Sequence, residues 1–258
     1  DRSSAASDVY KRQVLTLFGW CSGCNFRLAK KDLLVVFLLS LLRATTSFSL
    51  LIAYQNIATG VASTIHFMYP LAVSLAMMFF FHEKKSLLVM LAVLMSLFGA
   101  ALLSSGELEA KSGDTIVGLV AACISVFSYG GYIIGVRTTR AAQINSTVLT
   151  CYVMGMGAVF YLIGAMATFG LHLVTDGYIW LIILGLALPA TAISNITLVR
   201  AIKYAGPTLT SILGAMEPLT AVVIGVFVFK ELFTLNSAIG ILLILLAVGM
   251  VVFRKQKS

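Results

Sequence analysis

The chain is partitioned into eight apolar stretches, each about 18–23 residues long, joined by short connections that hold most of the charge. A helix needs about 20 apolar residues to cross the hydrocarbon of a bilayer, and in lipid every backbone polar group must be satisfied within the segment. That pattern predicts an all-α, polytopic membrane helical bundle. The predicted spans are Leu33–Tyr54, Val61–Phe81, Ser86–Leu103, Ile116–Val136, Thr147–Phe169, Tyr178–Val199, Thr208–Phe229 and Thr234–Phe253. Charged residues make up 11% of the chain, against about 25% in soluble domains, which agrees with the same class.

The basic residues fix a direction. Arg27, Lys30, Lys31, Lys84, Lys85, Arg137, Arg140, Arg200, Lys203, Arg254, Lys255 and Lys257 fall on one side of the alternation. Only Lys111 and Lys230 fall on the other, beside Glu107, Glu109, Asp114, Asp176 and Glu231. Twelve against two is a positive-inside signal, so the C-terminus is expected in the cytoplasm. The net charge of +8 is thereby assigned to topology, and no nucleic-acid partner is expected. Of four cysteines, Cys123 and Cys151 lie in apolar runs as small packing residues. Cys21 and Cys24 form one C-x-x-C without a second pair or nearby His, so no metal site is expected. Residues 1–13 are polar and unlike the rest of the chain; they read as a non-native leader, with Val14–Trp20 the tail of a span.

An internal duplication gives the bundle an architecture. Ser63, Met68, Pro70, Leu71, Phe79, Phe81 and Glu83 recur 148 residues later as Ser211, Met216, Pro218, Leu219, Phe227, Phe229 and Glu231. Spans two and three match spans seven and eight, an offset of five spans. Five is odd, so matching spans run in opposite directions, as in the inverted repeats of secondary transporters. A five-span repeat implies a 5+5 arrangement of ten spans, with eight seen. Residues 14–105 are then the remnant of the first repeat and 114–254 the second.

The pattern of an apolar span with a central Pro, a Glu thirteen residues on and a Gly- or Ala-rich span after it resembles the EamA-like drug/metabolite transporter superfamily. The residues carrying the resemblance are Ala62-Ser-Thr-Ile-His-Phe-Met-Tyr-Pro to Glu83 and Gly214-Ala-Met-Glu-Pro-Leu-Thr-Ala to Glu231, with Gly99-Ala-Ala-Leu-Leu and Ala247-Val-Gly-Met-Val-Val in the spans after them. The resemblance spans roughly residues 27–253 and implies ten helices and a small organic solute, with no indication of which. The expected partners are that solute and the bilayer of an inner membrane, with a proton as candidate coupling ion and a homodimer as candidate assembly. No cofactor is expected, since no nucleotide-binding loop is present. No catalytic constellation is visible either, so an enzyme is not expected. The competing readings are a non-transport membrane protein (a structural or assembly subunit, or an intramembrane enzyme) and a channel.

Seven residues are candidates for substrate or coupling. Glu217 is an ionisable group at mid-span, expensive there and a functional candidate by default; its bland alternative is a protonated, hydrogen-bonded Glu. Tyr69 occupies the equivalent position in the first repeat. Arg43 stays charged and needs water or a partner, either an anionic substrate group or Glu217, unless the span is shifted and it snorkels. His66 lies one turn before Tyr69 and serves as a proton or substrate group, or as a packing residue. Asn195 belongs to a polar stripe with Thr191, Ser194 and Leu198, beside Pro189. Tyr129 and Tyr132 flank Gly130-Gly131 and either hydrogen-bond a ligand or mark close helix packing. Pro70, Pro218 and Pro189 are candidate helix-shaping positions. Glu83 and Glu231, next to Lys84 and Lys230, read as interface caps or gating pairs.

Overall fold

A computed structural model describes residues 28–83, 87–104, 113–168, 193–214, 216–220, 227 and 234–256. Among them the secondary structure is helical: α1 Lys30–Asn56, α2 Thr59–His66, α3 Tyr69–Phe80, α4 Leu87–Ser104, α5 Thr115–Thr138, α6 Ser146–Thr168, α7 Ser194–Ala205, α8 Pro207–Gly214 and α9 Leu235–Gln256. Three stretches of this set are long and apolar enough to cross a membrane, Lys30–Asn56, Thr59–Phe80 and Thr115–Thr138. Shorter apolar helical stretches cover Leu87–Leu102, Ser146–Phe160 and Ala238–Met250. The expected leader, Val14–Trp20, the C-x-x-C, Pro189 and Thr191 lie outside the described residues.

Helix ends are set by local chemistry. Asp114 caps α5, its Oδ1 accepting from the backbone N–H of Ile116 at 2.9 Å and of Val117 at 3.3 Å. Its own N–H is held by Asn56 Oδ1 at 3.0 Å, tying the start of α5 to the end of α1. The sequence places the sixth span's end at Val199, yet α7 runs on to Ala205. Arg200 and Lys203 are good helix formers, so the helix continues beyond the apolar run until Gly206, whose φ of 93° suits only glycine well. Pro207 then opens α8 at a position that needs no N–H donor. The connection after α5 contains a 3-10 turn, Arg140–Gln143, capped by the Thr139 side chain. Apolar length gives no indication of that turn.

Burial follows residue size more than polarity. Large side chains such as Leu87, Leu91, Phe98, Ile116, Phe127, Leu242 and Leu246 are exposed, whereas Ala62, Ala92, Ala122, Ala247, Ser125 and Ser211 are buried. A surface of exposed Leu, Ile and Phe is stable against lipid, and small residues let helices approach closely without a hydrophobic drive between them. An open apolar groove of about 450 Å³ on α5, lined by Leu119, Val120, Cys123, Ile124 and Phe127, belongs to that exposed face.

The chain forms two compact units, each drawn from both sequence halves: residues 1–45 with 135–204, and residues 46–134 with 205–258. In the first, Asp32 at the start of α1 pairs with Arg140 at 2.8 Å. Arg137 donates to the Lys203 carbonyl and Lys203 Nζ to the Ile144 carbonyl, so the end of α7 is fastened to the α5–α6 connection. Phe37 of α1 meets Phe160 of α6 edge-on at 5.7 Å.

In the second unit α4 packs along α9, and α8 packs on α3. A Cβ on Gly99 would lie 2.7 Å from Ile244 Cγ1 and 2.8 Å from the Gly240 carbonyl oxygen, so backbone meets backbone there. Ala92, Val93, Ile212 and Ala247 form the core beside that crossing. Ala53, Ile57, Ala62, Ala121 and Ala122 form another. The helix bounds carry the 148-residue spacing of the sequence repeat. Adding 148 to the ends of α2 gives the ends of α8, and adding it to the first residue of α4 gives that of α9. The span holding α2 and α3 is interrupted at Phe67–Met68, one turn before Pro70. In the equivalent span α8 covers Pro207–Gly214, and residues 216–220 are helical.

Candidate functional site

Three turns of sequence converge at the α2–α3 interruption. His66 closes α2, Tyr69 opens α3, and Ser125, Tyr129 and Tyr132 lie along one face of α5. The 125, 129 and 132 positions share that face because they are four and three residues apart. The His66 ring sits 5.6 Å from Tyr69 and 5.4 Å from Tyr129, centroid to centroid. Tyr69 and Tyr129 meet edge-to-face at 4.7 Å, and Tyr132 stacks on Tyr129 at 6.4 Å. All three tyrosines are buried, with His66 half-buried. The structure thus gathers four of the seven sequence-predicted residues into one aromatic cluster.

Ser125 Oγ stands 2.6 Å from the Ala122 carbonyl, to which it can donate, and 2.9 Å from His66 Nδ1. With its single proton on that carbonyl the serine accepts from His66, which places the hydrogen on Nδ1. In neutral His66 the lone pair is then on Nε2, the atom that can accept a proton without disturbing Ser125. The flanking phenol rings stand within the roughly 6 Å at which an aromatic face stabilises a cation. Chemically, the cluster can hold and release a proton, or hydrogen-bond and stack on a small solute.

In the other unit Arg43, half-buried on α1, donates from Nη2 to Asn195 Oδ1 of α7 at 3.5 Å, long for such a bond. Asn195 is buried, Leu198 half-buried and Ser194 exposed, so the expected polar stripe is buried only at Asn195. Glu217 lies in the helical residues 216–220 and is exposed, with Pro218 buried next to it. Pro70 is the second residue of α3 and buried. Glu83, past the end of α3, accepts from Thr208 Oγ1 at the start of α8 at 2.6 Å. A carboxylate at a helix N-terminus is favoured by the exposed N–H groups and the helix dipole.

Sequence reasoning missed Ser125, Thr208 and Gly214. Ser125 was within reach: it is the next position back along the Tyr129 and Tyr132 face. Gly214 corresponds to His66 at the 148-residue spacing, but a glycine gives no chemical signal until the side chain resting on it is known. Among the described residues, no group of three or more His, Cys, Asp or Glu side chains could hold a metal ion.

Comparison with known proteins bears on the fold and the family. No curated protein matches the chain. One crystal structure of a protein superposes with a TM-score of 0.81 at 18% sequence identity, covering 96% of this chain and 86% of the other. At that identity the likeness concerns the fold. The sequence profile of the EamA-like transporter family matches residues 116–253, more than half of the molecule and including α5 to α8 and most of α9. With that match, an all-α fold and several membrane-length apolar helices, the chain is a multi-pass membrane protein that belongs to the EamA-like transporter family.

Proposed function

We propose that the chain is a secondary transporter that moves small organic metabolites or drugs across a bacterial-type inner membrane by alternating access. The observation that carries this reading is the 148-residue spacing of the helix bounds: Thr59–His66 and Pro207–Gly214 have equal lengths and stand 148 residues apart. The first of these two spans is interrupted at Phe67–Met68, and discontinuous helices in repeated halves are where transporters build substrate and ion sites.

The second unit adds support for a pseudo-two-fold relation. Gly99 faces Gly240 across the α4–α9 crossing. The 148-residue spacing converts that pair into Ala247 and Ala92, which share one buried core. Such reciprocity is what a two-fold relation between α4 and α9 requires. The proposed whole has a 5+5 inverted repeat, with 14–105 from the first half and 114–254 from the second. Its C-terminus is cytoplasmic, and it can associate as a homodimer. In this reading His66, Tyr69, Tyr129 and Tyr132 contact substrate or take the coupling proton. Glu217 is the coupling carboxyl of the second repeat, and Arg43 with Asn195 contributes a cationic polar group. The family is one of transporters rather than enzymes, which supports reading these residues as binding groups.

The test is flux. The purified chain in proteoliposomes should take up at least one component of a defined mixture of metabolites and cationic dyes, saturably, above protein-free liposomes. Uptake that rises linearly with concentration for every active component would point to a channel. Uptake indistinguishable from protein-free liposomes for the whole mixture would overturn the reading.

A further inference from the structure

The interruption between α2 and α3 meets α8. Tyr69, the first residue of α3, directs its phenol at Gly214, the last residue of α8. A Cβ built on Gly214 would lie 1.8 Å from the Tyr69 hydroxyl oxygen and 3.1 Å from Cζ. No real Cβ contact is that short, so any side chain at 214 must displace the hydroxyl by more than an ångström. Tyr69 has little room to yield. It is 2% exposed, and its ring is held by Tyr129 at 4.7 Å and His66 at 5.6 Å. Close-packed interiors transmit such a displacement instead of absorbing it.

We propose that Tyr69 is a positioning residue. Seated on the bare backbone of Gly214, it sets where Glu217, three residues on, presents its carboxyl. Glycine is required at 214 because the phenol occupies the space a side chain would need. The inference rests on the carrier reading only in giving Glu217 a function; the contact itself does not depend on it. It also accounts for an asymmetry between the repeats. At the 148-residue spacing His66 corresponds to Gly214 and Tyr69 to Glu217. One half supplies the aromatic residues and the other the gap that receives them, with the carboxyl beyond it.

The test is a four-member cycle in the purified full chain: wild type, Gly214→Ala, Tyr69→Phe and Gly214→Ala with Tyr69→Phe. One readout is the unfolding temperature in detergent. The other is modification of Glu217 by dicyclohexylcarbodiimide as a function of pH, read by peptide mass, because this apolar reagent attacks protonated carboxyls within the membrane. Gly214→Ala should lower the unfolding temperature and change the Glu217 modification rate at fixed pH by about threefold. Removing the hydroxyl leaves only the 3.1 Å contact with Cζ, so Phe at 69 should bring both readouts of the double variant back toward wild type, while Tyr69→Phe alone should shift Glu217 modification in the same assay by less than Gly214→Ala does. A double variant as perturbed as Gly214→Ala would overturn the proposal, as would a Gly214→Ala chain equal to wild type in both readouts. Recovery of temperature without recovery of the pH profile would reduce the contact to packing and also overturn it. A wild-type chain whose Glu217 is never modified would contradict the coupling role under the proposed function, and the positioning role with it, even if the temperature cycle upheld the contact.

Discussion

Two glycine-to-alanine changes of identical chemistry should move stability in opposite directions. Gly99 lies in α4 where it crosses α9, and its new Cβ would stand 2.7 Å from Ile244 Cγ1 and 2.8 Å from the Gly240 carbonyl oxygen. The carbonyl belongs to backbone and cannot rotate aside, so the helices must separate. A gap of roughly 0.5–1 Å forfeits a quarter to a half of the dispersion at each contact it opens. Overpacking of this kind costs about 1–3 kcal/mol. Gly157 lies in α6, and a Cβ there would meet nothing within 4 Å. Both changes gain the same helix propensity, about 1 kcal/mol. The difference between the variants therefore isolates the steric cost, about 2 kcal/mol at its centre. At about 2–4 °C per kcal/mol for a chain of this size, that is roughly 4–8 °C in unfolding temperature. Circular dichroism at 222 nm in detergent should show Gly157→Ala above wild type and Gly99→Ala below Gly157→Ala by that margin. Equal temperatures, or Gly99→Ala the more stable, would refute the close α4–α9 crossing.

Three further outcomes concern other parts of the molecule. In a cysteine-free background, single cysteines at Glu107 and Asp176 should react with an impermeant thiol reagent on intact cells, and those at Arg140 and Lys203 only after permeabilisation; labelling of 140 in intact cells would reverse the orientation. Burial lowers the pKa of Lys203, beyond the apolar part of α7, to about 8. The unfolded chain then holds the extra proton between about 8 and 10.5, so stability should rise with pH across that window in wild type and rise less in Lys203→Gln; equal slopes would contradict the burial. Ser125→Ala removes the acceptor of the His66 Nδ1 hydrogen, and should cost about 1–2 kcal/mol and mix the two His66 tautomers in nitrogen NMR spectra; an unchanged tautomer would show that Ser125 does not select it.

Much of the fold was legible because lipid simplifies the code. Apolar length alone located α1, α4, α5, α6 and α9 to within a few residues, and Pro70 flagged the interrupted span. The end of α7 was misjudged because Arg200 and Lys203 mark the edge of the apolar run, whereas the helix is ended by Gly206. The site was half legible. His66, Tyr69, Tyr129 and Tyr132 stood out because polar aromatics and histidine are expensive inside a membrane. Arg43 stood out for its charge, and its partner Asn195 for lying on a polar stripe. Ser125 carried only the weak signal of sharing the Tyr129 and Tyr132 face. Gly214 was silent, since small residues in membrane helices are ordinary packing, and its part depends on which side chain reaches it, a property of three-dimensional approach that spacing along one helix does not encode.

The proposed coupling of solute carriage to a gradient through the Glu217 carboxyl is tested most sharply by Glu217→Gln. Gln keeps the size and hydrogen-bonding capacity of the side chain and removes its ionisation. With a transported component of the mixture in proteoliposomes, Glu217→Gln should abolish accumulation driven by a pH gradient while solute exchange at equal pH persists, because exchange need not complete the proton cycle. Accumulation by Glu217→Gln equal to that of the parent at every pH would contradict the coupling role and leave Glu217 a structural hydrogen-bonding residue.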